Sequence, residues 1–300
     1  VVDATLRDGG LVNNFYFTEE FIRALYLANI KAGVDYMEFG YKADKEMFDV
    51  NKFGACKFCD DDFIRTIVGD NNTDLKIAVM ADVGRCNYKN DIHDRTESPV
   101  DLIRVATYLH QIPTAVDMIE DAKSKGYEVS CNIMAISNAQ ESDVKVALDI
   151  LGQSPVDVFY IVDSFGSLYP EQIARISDMY LDFAAKYNKK VGIHAHNNQQ
   201  LAFANTIEAV GDGVGANVDP SHLIWQGIDI PKAIRALKGA IYHFHAKDTK
   251  IYKPNCDVTG VLDVRHYGDE LNRSWLFRAL GYGNDYAYWK DIISTLRLVG

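Results

Sequence analysis

No apolar run in the sequence approaches the roughly 20 residues that a membrane-spanning helix needs. A membrane partner is therefore not expected. Positive charge is also short: 31 Lys and Arg stand against 42 Asp and Glu, a formal net charge of −11. That balance argues against a general nucleic-acid or anionic-membrane binder, while leaving room for a local basic site. The five cysteines are few, odd in number and scattered. They fit a reducing, cytoplasmic setting better than a disulfide framework. Cys56-Lys-Phe-Cys59 is a lone CxxC. A zinc site would want a second pair, so incidental thiols are expected there rather than redox chemistry. The opening Val-Val-Asp-Ala-Thr-Leu has no basic leader with an apolar stretch behind it, so it reads as a strand and not as a secretory signal.

What is present is a rhythm of short apolar strand, then amphipathic helix. At 300 residues and 48% hydrophobic, the chain has material for one large barrel or two ordinary domains. Strands are expected at Val1–Leu6, Val34–Phe39, Lys76–Met80, Leu102–Ala106, Glu128–Met134, Val156–Val162 and Lys190–Ala195. Helices are expected at Glu19–Ala32, Asp60–Val68, Thr114–Lys125, Ser142–Leu151, Pro170–Tyr187 and Gln199–Val210. Gly33, Gly126 and Gly211 stand where helices should stop, and Pro170 suits a first helical turn. Strands alternating with helices at this spacing indicate βαβ units. Seven of them before residue 200 favour a closed TIM (β/α)8 barrel, an α/β fold, as a single domain over residues 1–300. Two more strands, Val214–Asp219 and Ile241–Ala246, give one too many for a simple barrel. Asp248–Leu276 reads as loop, and Asp285–Leu298 as a last helix.

Polar residues collect at the ends of these strands, where barrel active sites are built. Arg7 and Asp8 follow the first strand, Glu38 lies in the second, Asp163 and Ser164 follow the sixth, and His194 and His196 end the seventh. Alternation puts His194 and His196 on one face. One carboxylate and two imidazoles suit a catalytic divalent cation with open positions. Such an ion could chelate a 2-oxo acid and stabilise an enolate, with Arg7 adding fixed positive charge at the oxyanion. The same residues also admit plainer roles. Asp8 before Gly-Gly could form a turn with Arg7 as its ion-pair partner, and Glu38 could be a buried partner of Arg7. Asp163 and Ser164 could cap the helix at Pro170 instead of touching substrate or its supporting groups. Asp219, His222 and His245 form a second candidate metal or substrate set, or a helix cap with surface histidines.

The segments Asp3-Ala-Thr-Leu-Arg-Asp-Gly-Gly10, Val162-Asp-Ser-Phe-Gly166 and Gly192-Ile-His-Ala-His-Asn-Asn198 resemble the DRE-TIM metallolyase superfamily, over residues 1–210. Its members include hydroxymethylglutaryl-CoA lyase and 4-hydroxy-2-oxovalerate aldolase. The resemblance implies a divalent-metal-dependent aldolase or lyase working next to a 2-oxo acid carbonyl. Asp8, His194 and His196 would bind Mn²⁺ or Mg²⁺, and Arg7 would stabilise the enolate. It also implies a small-molecule substrate, a 2-oxo acid or a sugar-derived carbonyl compound, and a homo-oligomer. Two features depart from the pattern. Leu11 stands where the aldolases carry a histidine base, and their glycine-rich stretch after strand eight has no counterpart, so the acid/base group is unassigned.

Residues 211–300 resemble the xylose-isomerase-like sugar phosphate isomerase/epimerase family, through Gly215-Ala-Asn-Val-Asp-Pro-Ser-His222 and Ile241-Tyr-His-Phe-His-Ala-Lys-Asp248. That likeness implies metal and substrate roles for Asp219, His222 and His245. The whole then reads as a recombinant of two barrel families joined near Val210–Gly213. A sugar isomerase, or a chimeric scaffold without native activity, are the alternatives to the aldolase, since a site tolerates only about 0.5 Å of misplacement.

Overall fold

In the computed structural model, which describes residues 1–211, 216–263 and 265–299, the first and longer unit is built around a parallel sheet. The chain divides into two compact units, Val1–Asn205 and Thr206–Gly300, where one barrel domain over the whole length was expected.

In the first unit the strands are β1 (Val2–Asp3), β2 (Tyr36–Tyr41), β3 (Lys76–Asp82), β4 (Leu102–Thr107), β5 (Glu128–Ile133), β6 (Val158–Asp163) and β7 (Lys190–Ala195). They pair in sequence order, and every pairing is parallel. Ile77 through Ala81 of β3 are buried on both faces, as parallel strands covered by helices should be. The covering helices are α1 (Thr5–Asn13), α2 (Glu19–Ala32), α3 (Asp61–Val68), α4 (Tyr88–Asp91), α5 (Ile112–Ser124), α6 (Glu141–Gln153) and α7 (Pro170–Tyr187). α2 shows why the sequence is legible. Thr18 caps it by accepting from the Phe21 N–H at 3.2 Å, Glu19 and Glu20 favour the N-terminal dipole, and Gly33 closes it at φ +69°. Gly126 and Gly211 also take positive φ, at +91° and +64°.

Two expectations need correction here. The first strand does not run from Val1 to Leu6. The Asp3 carboxylate accepts from the Thr5 N–H at 3.3 Å and from its hydroxyl at 2.8 Å, an Asx-type turn that starts α1 early. Arg7 and Asp8 therefore stand in the first turns of a helix. The second is the strand count: among the described residues the sheet has seven parallel strands, consistent with a TIM-like barrel but short of the expected eight, and the next strand, β8, pairs with β9. The sheet is nevertheless strongly curled, a half-barrel. Laid flat, six spacings of about 4.8 Å would part its edges by ~29 Å. Yet Asp8, after β1, lies against His194 and His196 of the β7 end.

Helix α8 (Ala202–Val210) crosses the boundary between the units. In the second unit β8 (Ala216–Val218) pairs in parallel with β9 (Ile241–Phe244), and β10 (Asp248–Ile251) pairs antiparallel with β11 (Trp275–Arg278). Its helices are α9 (Pro220–Ile224), α10 (Ile230–Ala236), α11 (Lys253–Thr259) and α12 (Tyr286–Val299). Asp248–Leu276, read as loop, thus holds a strand, a helix and the start of another strand. Buried Asp248 explains part of this order. It accepts from the N–H groups of Gly281, Gly283 and Asn284 at 2.9–3.1 Å and from Trp289 Nε1 at 2.9 Å. Residues 212–215, which include part of the expected strand and of the expected join, lie outside the described residues. No described helix is long and apolar enough to cross a membrane.

Candidate metal centre

The half-barrel brings three ligand-type side chains together. One ligating atom each from Asp8, His194 and His196 lie within 4.8 Å of one another, the one group of three so placed among the described residues. β7 alternation sets both imidazoles on one face, with ring centroids 4.6 Å apart. His196 Nδ1 lies 2.8 Å from the Asp163 carbonyl oxygen. If it donates there, Nε2, 4.0 Å from Asp8 Oδ1, is left as the ligating nitrogen. Burial, with Arg7, His196 and Arg104 nearby, pushes the His194 pKa down to about 4. A neutral imidazole is the form that binds a metal, so the donor set fits a divalent cation with open positions.

A charged floor lies beside it. Arg7, in α1, donates through Nη1 to Asp8 Oδ1 at 2.6 Å and through Nε to Glu38 Oε2 at 2.9 Å. Glu38, on β2, is wholly buried and also accepts from Arg104 Nη1 at 2.7 Å. Burial works against the charge on both Arg7 and Glu38. The opposite charges outweigh it, so the Arg7 pKa is raised and the Glu38 pKa lowered. The expected pairing of Glu38 with Arg7 is present, and Arg104 joins it. Arg104, whose guanidinium lies 4.7 Å from the Tyr160 ring centroid, was not singled out in the sequence. A lone arginine inside the apolar run Leu102–Ala106 was the available signal.

Asp163 and Ser164 stand beside the centre but face the loops. The buried Asp163 carboxylate accepts from the Ser167 N–H at 3.1 Å and the Leu168 N–H at 3.0 Å. Ser164 Oγ accepts from the Ala135 N–H at 2.8 Å. The second candidate set is also assembled. Asp219 Oδ1 caps α9 through Ser221, and its Oδ2 lies 3.6 Å from His222 Nε2 and 3.6 Å from His245 Nδ1. A lysine ammonium shares that oxygen, with Lys247 Nζ at 3.0 Å. A resident cation therefore disfavours a metal ion there. The side chain of His243 lies outside the described ones.

A model of the HMGL-like family matches residues 1–221. The chain belongs to that family. The match runs on past Val210–Gly213, so the expected join of two barrel families finds no support there. The Thermus thermophilus 4-hydroxy-2-oxovalerate aldolase is 28% identical over 268 residues, 89% of this chain and 74% of that protein. The Mycobacterium tuberculosis oxaloacetate decarboxylase is 27% identical over 71% of this chain. A stretch of 92 residues is 42% identical to the uncharacterized protein YfiH of Bacillus subtilis. The chain spans only 29% of YfiH and 61% of the decarboxylase. Among solved structures, the N-terminal domain of a putative aldolase from Bacteroides vulgatus matches with a TM-score of 0.57 at 27% identity, covering 71% of this chain and 69% of that one. The proteins this chain is similar to thus include an aldolase and a decarboxylase.

Proposed function

We propose that the chain is a divalent-metal-dependent lyase that makes or breaks a carbon–carbon bond next to the carbonyl of a 2-oxo acid. The carrying observation is the convergence of Asp8, His194 and His196 beside the paired guanidinium of Arg7. A bound Mn²⁺ or Mg²⁺ would supply Lewis acidity toward the carbonyl. Arg7 stands next to it with charge that cannot be lost at neutral pH, where an enolate oxygen would need it. Glu38 fixes Arg7 from below, and the Asp163 carbonyl fixes His196. Asp163 and Ser164 act through the loops they hold, one residue removed from substrate. Aldol cleavage and decarboxylation of a 2-oxo acid share the same enolate, which accommodates both relatives' names.

Calorimetry with Mn²⁺ tests this. His194→Ala/His196→Ala should abolish binding, and His245→Ala should leave it intact. Loss of pyruvate-releasing aldol cleavage or decarboxylation in the same double variant would complete the case. Binding that survives the double variant but not His245→Ala would move the site to the second set and favour sugar isomerisation. Metal binding without turnover of any 2-oxo acid would leave a scaffold.

A further inference from the structure

Asp8, the one carboxylate of the metal set, already carries a cation. Arg7 Nη1 donates to Asp8 Oδ1 at 2.6 Å, and the same oxygen lies 4.0 Å from His196 Nε2. Arg7 is not free to swing away. It is 5% exposed, and its Nε donates to the wholly buried Glu38 at 2.9 Å. Glu38 is itself shared, because Arg104 Nη1 donates to the same Oε2 at 2.7 Å. Arg104 is 1% exposed and has no other described carboxylate within 4.0 Å. Two guanidiniums thus draw on one buried carboxylate, and Asp8 supplies the countercharge that Glu38 alone does not.

The ionised groups balance, Asp8 and Glu38 against Arg7 and Arg104. A divalent cation on Asp8 would draw that countercharge from Arg7 and stand beside a guanidinium that cannot leave. Like charges repel strongly where water is scarce. An anion that reaches both the cation and Arg7 restores the balance. Asp219 offers the comparison. Lys247 Nζ holds its Oδ2 at 3.0 Å and has no other described carboxylate within 4.0 Å, so a metal ion there would strand the lysine. Arg7 keeps Glu38, and the first set can give up Asp8 once an anion arrives.

We infer that Arg7 opposes the divalent cation in the substrate-free protein and admits it when an anionic substrate pairs with the guanidinium, so that metal and substrate bind cooperatively. This rests on the metal-dependent 2-oxo acid reading above and deepens it: the cation is held weakly until the acid is present. Such coupling is reciprocal, so the cation tightens the acid by the factor by which the acid tightens the cation. If Arg7 only oriented Asp8 for the cation, its removal would weaken metal binding. Opposition predicts the other sign.

The test is Mn²⁺ affinity at fixed ionic strength, read from the EPR signal of free Mn²⁺, with and without pyruvate. Without pyruvate, Arg7→Met should bind Mn²⁺ about tenfold or more tighter than the wild type. Arg7→Gln, which keeps a donor for Asp8 without the charge, should bind tighter too. With pyruvate, the wild type should gain about tenfold or more, and Arg7→Met clearly less. Variants that bind Mn²⁺ as the wild type does, or more weakly, overturn the inference and leave the metal reading standing. So does a pyruvate effect that survives Arg7→Met in full, which assigns the coupling to chelation alone. If both variants fail to fold, the wild type carries the test, and pyruvate that leaves its Mn²⁺ affinity unchanged overturns the inference. A wild type that binds no Mn²⁺, with or without pyruvate, removes the reading and the inference together.

Discussion

Glu38 Oε2 accepts from Arg7 Nε at 2.9 Å and from Arg104 Nη1 at 2.7 Å, one buried oxygen between two buried guanidiniums. Removing that charge would leave two cations facing each other without water. Breaking a buried pair from one side costs about 3–5 kcal/mol, because the partner's desolvation is no longer offset. Glu38→Gln should therefore lower the unfolding free energy by that order, read from a urea titration. It should also release Arg7, so kcat on a 2-oxo acid should fall even where the fold survives. A variant of wild-type stability would refute the pairing.

The same pair sets an acid limit. Burial alone would raise the Glu38 pKa, but Arg104 and Arg7 outweigh it and hold it below the ordinary glutamate value. Below that value the unfolded chain takes up a proton that the folded chain refuses. The stabilisation is present in full above the unfolded pKa and is lost as pH falls through the folded one. Urea midpoints measured between about pH 3 and 7 should fall on the acid side. In Glu38→Gln this contribution to the acid slope should vanish.

Much of this centre is legible in the sequence because its parts are local. His194 and His196 are two residues apart on a strand, and strand periodicity alone puts them on one face. Pro170–Tyr187 was readable to the residue, because a proline start and long amphipathic spacing leave little choice. Except at the first strand, the misses are non-local. Asp3 turns the chain into helix where apolar neighbours suggested strand, since one carboxylate satisfying Thr5 outweighs weak strand propensity. Asp248 organises a segment full of turn formers by accepting from groups more than thirty residues away. The Glu38–Arg104 contact likewise depends on which strands become neighbours.

The CxxC makes a prediction of inertness. Burial pushes the Cys56 pKa up to about 12, and burial pushes Cys59 up as well. Cys59 Sγ donates to the Cys56 carbonyl at 3.3 Å. At pH 8 a thiol of pKa about 12 is thiolate in roughly one molecule in ten thousand. Cys86 and Cys131 are pushed to about 12 by burial in the same way. A disulfide-exchange reagent at pH 8 should thus count one fast thiol, the half-buried Cys256, in the native protein and five after denaturation. Rapid loss of Cys56 and Cys59 in the native state would restore a redox reading.

Gly166 tests whether the loop after β6 orients the ligands. It sits at φ +54°, and a Cβ there would come within 2.7 Å of both the His196 carbonyl oxygen and the Asn198 nitrogen. Neither backbone atom can move without carrying His196 with it. Gly166→Ala should weaken Mn²⁺ binding about tenfold or more, the usual scale for disturbing a group that orients a ligand. Gly33→Ala provides the comparison, because Gly33 has φ +69° and nothing within 4 Å of its would-be Cβ. It should cost ~1 kcal/mol of stability through backbone strain and leave metal affinity unchanged. Equal metal affinity in both variants would mean that His196 is held by β7 alone.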